Sequence, residues 1–162
     1  MKKYQISEHD LQLAKEWTTF KSNEYTINKE KAELNNLAGS LGEIFYKRKY
    51  PNAKRISHQD KQADFISSAE RVDVKTLILN RTPKLTDHFQ INAYQIDFNC
   101  DVYYVYWYYP SQQMIFDIGY ISKTDFKNNS IYHPEGTTFP GTDKIIQKSI
   151  YRIPFNKLTI SE

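Results

Sequence analysis

The chain has 162 residues, and its 22 Lys and Arg against 19 Asp and Glu give a formal net charge of +3. This length predicts one domain with a hydrophobic core, and the 40% of hydrophobic residues exclude a disordered chain. The single cysteine, Cys100, excludes an intramolecular disulfide and a cysteine-built zinc site and indicates a reducing compartment. No signal peptide and no membrane-spanning run is visible. We therefore expect a cytoplasmic protein that does not associate with membranes.

Two helices are predicted in the N-terminal third of the chain. Residues 7–20 carry apolar side chains at helical spacing, and Ser7 followed by Asp10 resembles a capping box. Residues 26–51 form the clearer helix, because apolar residues recur every three or four positions and Pro51 ends the pattern.

Segments typical of β-strands dominate the rest of the chain. They are ADFIS (63–67), RVDVKTLIL (71–79), HFQINAYQI (88–96), DVYYVYWYY (101–109), MIFDIGYI (114–121) and IYRIPFNKL (150–158). A short helix capped by Ser122 is predicted ahead of a loop rich in Pro and Gly at 133–144. This order predicts a single α/β or α+β domain, 1–162, with a mixed central β-sheet flanked by helices.

The segment RVDVKTLIL places an acid and a base on one face of a strand. Successive side chains point to opposite faces, so Asp73 and Lys75 share one face while Val72 and Val74 share the other. One interpretation is an exposed cross-strand pair worth under ~1 kcal/mol. The apolar residues around the pair favour a central strand, where exposed charge is not expected. The second interpretation is half of a metal-dependent active site.

Two further acids precede this pair, Glu43 in the second predicted helix and Asp64 at the start of a strand. Carboxylates on neighbouring strands repel each other unless a cation lies between them, and oxygen ligands suit Mg²⁺ or Mn²⁺ rather than zinc. Val74 could add its backbone carbonyl. A divalent ion activates water and stabilises charge on a phosphate group. Lys75 could orient that water or, with a depressed pKa, accept its proton.

The stretches LAGSLGEIFYKRKYP, QADFIS and RVDVKTL resemble the PD-(D/E)XK, or restriction-endonuclease-like, nuclease superfamily. The resemblance covers about residues 30–110, and the chain has the general look of small phage or restriction-type nucleases. It implies a mainly four-stranded mixed sheet with helices on both sides and extra C-terminal strands.

The resemblance also implies which residues act. The catalytic set is Glu43, Asp64, Asp73, Lys75 and Gln95. The metal set is Asp64, Asp73, Val74 and Glu43, holding Mg²⁺ with Mn²⁺ as a substitute, and no organic cofactor is implied. Asp73 stands where glutamate is commoner, which shortens its reach to the metal. Gln90 is the second choice for the glutamine beside the lysine.

Seven cations are candidates for phosphate contact, five of them in YKRKYPNAKR. They are Lys47, Arg48, Lys49, Lys54, Arg55, Arg81 and Lys84. The alternative for the first five is a solvated helix end, which basic residues favour.

Structural alternatives also exist for the acids and the glutamine. Glu43 could lie on a solvated helix face and pair with Lys47, Asp64 could be a plain turn acid, and Gln95 could be structural. Gly39 and Ser40 argue against a merely solvated face, because small residues allow a backbone to come close.

The function predicted from these residues is a Mg²⁺-dependent endonuclease acting on DNA. A homodimer would suit a duplex with two-fold symmetry. One alternative is a catalytically inactive nucleic-acid- or protein-binding module with the same fold. Another is a small interaction protein without a nucleic-acid role.

Overall fold

The computed structural model describes residues 1–19, 29–56 and 62–160. Phe20 and positions 26–28, which the sequence assigns to the first two helices, lie outside these ranges. No helix within the described ranges is long and apolar enough to cross a membrane.

The described ranges contain three α-helices, and two of these helices begin at the predicted caps. They are α1 (Glu8–Thr19), α2 (Lys29–Lys49) and α3 (Lys123–Asn129). At α1 the Asp10 carboxylate accepts a hydrogen bond from the Ser7 backbone N–H at 2.9 Å, and the Ser7 hydroxyl accepts one from the Asp10 N–H at 3.2 Å. This reciprocal arrangement confirms the predicted capping box. At α3 the Ser122 hydroxyl accepts from the Asp125 N–H at 3.0 Å, which confirms the second cap.

The central sheet is mixed, as the sequence predicts. Its strands are β1 (Lys2–Gln5), β2 (Lys54–Arg55), β3 (Phe65–Ser67), β4 (Glu70–Ile78), β6 (Val102–Tyr109), β7 (Met114–Ser122) and β10 (Thr159–Ile160). Their order is β1-β7-β6-β4-β3-β2, with β10 also pairing with β7. Only the β4–β6 pair is parallel among the described strands. Every residue of β6 except Tyr109 is buried, which fits its aromatic and β-branched sequence and its central position.

A small antiparallel sheet covers part of the central one. It contains β5 (His88–Asn92), β8 (Ile131–His133) and β9 (Ile150–Pro154), in the order β5-β9-β8. The sequence predicts one strand over 88–96, but the strand ends at Asn92 and a 3₁₀ helix, Ala93–Asp97, follows.

Different elements pack on the two faces of the central sheet. Helices α1 and α2 pack on the face that carries Val72, Val74 and Tyr104, and we call it the α2 face. On the opposite face, Tyr103 packs with Phe126 of α3 and with apolar residues of the small sheet. The prediction of helices on both faces is therefore correct, with the small sheet as an unpredicted part of the second layer.

The sequence did not predict β1. All four of its residues are exposed, so it lacks the apolar alternation that marks a half-buried strand. It exists because it pairs with Met114–Asp117 of β7, whereas β10 pairs with Gly119 and Tyr120 of the same strand.

Helix α2 approaches β4 closely at Gly42. A Cβ atom at this position would lie 2.1 Å from the Thr76 Oγ1 and 3.4 Å from the Val74 Cγ1. Gly39, for which the sequence suggests a close approach, has nothing within 4 Å of an added Cβ. Its neighbour Ser40 is fully buried, and its hydroxyl lies 3.1 Å from the Thr18 hydroxyl of α1. Close helix-to-strand contact therefore depends on Gly42.

We expect Gly42→Ala to lower the free energy of unfolding by about 2–3 kcal/mol, because the methyl group overpacks against Thr76. The matched control, Gly39→Ala, should raise it by up to ~1 kcal/mol through helix propensity. Adding Thr76→Ala should recover part of the loss at Gly42, since the clashing oxygen is gone. Urea denaturation of the parent and the three variants measures these effects, and equal behaviour of the two single glycine variants would contradict this packing.

Asp10 makes stability depend on pH. Burial alone would raise the pKa of its carboxyl, but hydrogen bonds from Arg48 and Ser7 outweigh burial and lower the pKa below its ordinary 3.8. A group with a depressed pKa in the folded state stabilises the protein above its unfolded pKa, and that contribution is lost as pH falls through the folded pKa.

Asp10→Asn should therefore lower the free energy of unfolding by about 1–2 kcal/mol at neutral pH. The difference from the parent should close as the pH falls below 3.8. Denaturation over a pH series tests this, with the exposed Glu16→Gln of the same helix as control. A difference that does not change with pH would show that the charge of Asp10 is irrelevant.

Candidate active site

The acid and base of β4 form a partly sheltered ion pair. The Lys75 ammonium nitrogen lies 2.8 Å from the Asp73 Oδ2. Asp73 is 5% exposed, so an exposed cross-strand pair, the first interpretation from sequence, is wrong. The pair lies on the face opposite α2, because the alternate residues Val72 and Val74 pack beneath that helix. Tyr103 of β6 stands next to Asp73 in the ladder and is fully buried on the same face.

Asp64 immediately precedes β3, at the end of the pairing between β3 and β4. Its backbone N–H donates to the Val72 carbonyl at 2.9 Å, and its Oδ2 accepts from the Val74 backbone N–H at 2.8 Å. The Asp64 carboxylate therefore accepts a hydrogen bond from β4 that a backbone carbonyl would accept if β3 were one residue longer. The N–H and C=O of one strand residue point to the same side, so the Val74 carbonyl also faces Asp64.

The charge of Lys75 links the two acids. Burial lowers the pKa of its ammonium group, but the negative charges of Asp73 and then Asp64 outweigh burial, and the net pKa is raised. Lys75 is therefore protonated at neutral pH.

Glu43 lies on the α2 face. It is 3% exposed, and its Oε2 accepts from the Arg55 guanidinium at 3.0 Å. That guanidinium is 3.9 Å from the centre of the Trp17 ring of α1. A solvated face with a Glu43–Lys47 pair, the alternative from sequence, is wrong because Glu43 is buried. The sheet separates Glu43 from the Asp73–Lys75 pair, and ligation of the same metal by Glu43 stays a prediction.

Gln95 has a local partner. It lies in the 3₁₀ helix after β5, and its side-chain oxygen accepts from the Asn92 backbone N–H at 3.1 Å. This hydrogen bond lies at the end of β5, so Gln95 has a structural role there. Support of Lys75 by Gln95 stays a prediction, as does the second choice, Gln90, which is exposed on β5 opposite Arg152.

Most of the seven candidate cations have partners within the protein. Lys47 donates to the backbone carbonyls of Pro51 and Ala53, both at 2.6 Å. Four others form ion pairs, namely Arg48 with Asp10, Lys49 with Asp117, Arg55 with Glu43, and Arg81 with Asp87.

Lys54 and Lys84 are exposed and form no ion pair within the described parts of the chain. They are the cations of this set most available to a phosphate.

The donor set fits a small magnesium site. Mg²⁺ retains several waters and is commonly held by one or two carboxylates, which Asp64 and Asp73 supply beside the Val74 carbonyl. Over residues 1–19, 29–56 and 62–160, no three His, Cys, Asp or Glu side chains are grouped to hold a metal. The fit therefore rests on two acids and one carbonyl.

No protein-family model matches the chain, and no curated protein matches it in sequence.

One buried acid was not identified from the sequence. Asp117 of β7 is fully buried, and its carboxylate binds the Lys49 ammonium at 2.8 Å and the Tyr104 hydroxyl at 3.0 Å. The available signal was a lone acid in the apolar run MIFDIGYI, at a position where a central strand does not tolerate an unpaired charge.

The Glu43–Arg55 pair separates a structural role of Glu43 from a catalytic one. Arg55→Met should lower the free energy of unfolding by about 2–4 kcal/mol, because it leaves a buried carboxylate unpaired. Adding Glu43→Gln should recover much of that loss, since the unpaired charge disappears. Urea denaturation of both single variants and the double variant gives the coupling. Additive losses would show that the two side chains do not depend on each other.

Proposed function

We propose that the protein is a Mg²⁺-dependent nuclease that hydrolyses phosphodiester bonds of DNA at a PD-(D/E)XK-type centre. The observation that carries the proposal is the position of Lys75, 2.8 Å from Asp73 and close enough to Asp64 for both acids to raise its pKa. Neighbouring carboxylates repel each other unless a cation lies between them, and Lys75 is that cation in the metal-free protein. Two negative charges against one positive charge leave a surplus that suits a divalent cation.

Asp64, Asp73 and the Val74 carbonyl would hold the metal, and Mn²⁺ would substitute for Mg²⁺. When bound, the ion supplies an activated water and stabilises negative charge on the phosphate oxygens. The Val74 N–H fixes the orientation of the Asp64 carboxylate through its 2.8 Å hydrogen bond. Asp73 is fixed by its place in β4, a strand paired on both sides.

Lys75 acts as a hydrogen-bond donor. Its ammonium group would offer up to three N–H donors to the attacking water and to a phosphate oxygen. The proton released by the water must therefore pass to another acceptor, such as solvent or the phosphate itself. Lys54 and Lys84 are exposed cations that could contact the DNA backbone.

A second function has one observation in its favour. The Glu43 carboxylate, a predicted metal ligand, is bound to Arg55 on the other face of the sheet. This favours a catalytically inactive module of the same fold that binds nucleic acid or protein. EDTA would not change the affinity of such a module for DNA, and the module would not cleave DNA with Mg²⁺ or Mn²⁺.

We expect the parent protein to cleave plasmid, linear or single-stranded DNA with Mg²⁺ or Mn²⁺ and to stop in EDTA. Lys75→Ala should slow cleavage by about 10²–10⁴-fold while the fold is retained. The matched control is Lys148→Ala, an exposed lysine far along the chain. Cleavage by Lys75→Ala at the parental rate would refute the role of Lys75, and no cleavage by the parent under any of these conditions would favour the inactive module.

Metal binding can be measured without activity. In EDTA, Lys75→Ala should lose about 2–4 kcal/mol of stability, because the buried Asp73 loses its counter-charge. Mg²⁺ should then raise the melting temperature of Lys75→Ala more than that of the parent, since the ion replaces the missing cation. Asp64→Asn should abolish this shift. A melting temperature that is indifferent to Mg²⁺ in all three proteins would contradict the metal site.

A further inference from the structure

An open part of the central sheet lies beside the candidate active site, on the face opposite α2. Arg55 and Phe65 are partners between β2 and β3, and both face α2. Arg55 forms an ion pair with that helix, and Phe65 belongs to the buried core beneath it. Because successive side chains in a strand point to opposite faces, Lys54 and Ile66 point away from α2.

Three side chains form a row across this open face. Lys54 of β2 is the partner of Ile66 in β3, and Ile66 is the partner of Arg71 in β4. The row crosses two inter-strand spacings, which together measure about 10 Å. We call Lys54, Ile66 and Arg71 the β2–β4 row.

The β2–β4 row lies next to the proposed metal ligands. Arg71 precedes Asp73 by two residues in β4, and Ile66 follows Asp64 by two residues. Side chains two residues apart in a strand share a face and are separated by about 7 Å. The small sheet and α3 cover another part of this face. A substrate strand with one phosphate at the metal ligands could therefore continue over the row.

The row is open to solvent and combines charge with apolar surface. Lys54 is exposed, Ile66 is 41% exposed, and Arg71 is half-buried. The Arg71 Nε donates to the Asn99 carbonyl at 2.6 Å, which fixes the guanidinium beside the sheet. The Asp101 carboxylate accepts from the Arg71 backbone N–H at 2.7 Å. The row and this flanking acid together carry two cations against one anion.

This combination matches the chemistry of a nucleic-acid strand. Lysine and arginine contact phosphates, and isoleucine is among the apolar side chains that pack against bases when these are unstacked. The faces of the bases are hidden by stacking in a duplex, whereas an unpaired base exposes them. An exposed isoleucine between two cations therefore favours a strand with an unpaired base.

We propose that the β2–β4 row binds a single-stranded stretch of DNA next to the candidate active site. Ile66 packs against the face of an unpaired base, and Lys54 and Arg71 contact the phosphates on either side of it. The inference rests on the proposed function, because the metal ligands define where the strand passes. It adds the form of the DNA and the residues that hold it.

Binding can be measured in EDTA, where cleavage plays no part. The probe is a labelled oligothymidylate of about 12 nucleotides, followed by fluorescence anisotropy over a salt series. Lys54→Gln should weaken binding about three- to tenfold and reduce the salt slope by about 0.7, the value for one lost phosphate contact on a single strand. Ile66→Ser should weaken binding about three- to tenfold without changing the salt slope, because the lost contact is uncharged.

Matched controls exist for both variants. Lys2→Gln removes an exposed strand lysine at the other edge of the central sheet, and Ile131→Ser removes a 63% exposed isoleucine of the small sheet. Both controls should bind like the parent. Parental affinity of both Lys54→Gln and Ile66→Ser, or no binding by the parent at low salt, would overturn the proposal. Equal weakening of a duplex of the same length by Ile66→Ser would overturn the contact with an unpaired base.

The binding and cleavage assays can fail separately. If the two row variants lose affinity in EDTA but the parent does not cleave with Mg²⁺ or Mn²⁺, the row is supported and the nuclease function is refuted. If the parent cleaves but the row variants bind the oligonucleotide like the parent, the nuclease function is supported and the row is refuted.

Discussion

The structure depends on giving every buried acid a counter-charge. Among the described residues, four acids are at most 5% exposed, and each is bound to a cation, which lies on another helix or strand in every case except Asp73. The pairs are Asp10–Arg48, Glu43–Arg55, Asp73–Lys75 and Asp117–Lys49. An ionised carboxylate without a partner in such places would cost several kcal/mol, so these pairs restrict how α2 and the sheet can be arranged.

This constraint changes the meaning of the basic run at the end of α2. From sequence alone, its cations are equally suited to a solvated helix end and to contact with phosphate. In the folded chain, Arg48 binds Asp10 of α1 and Lys49 binds Asp117 of β7, so both cations fix the position of α2.

The fold could be predicted where the signal is local. The caps at Ser7 and Ser122, the apolar spacing of α2 and the aromatic run of β6 each act through neighbouring residues, and all appear as expected. The polar edge strand β1 could not be predicted, because it exists only through pairing with a strand more than 100 residues away. Similarly, the spacing around Asp73 and Lys75 indicates their common face, whereas nothing near Glu43 in sequence indicates its pairing with Arg55.

The edges of the central sheet limit how copies of the protein can meet. One edge is divided between β1, of four residues, and β10, of two, and the other edge is β2, also of two residues within the described chain. Short edge strands give an incoming strand few free backbone groups, which discourages growth of one sheet into another. Extension of the central sheet into the same sheet of a second copy is therefore disfavoured.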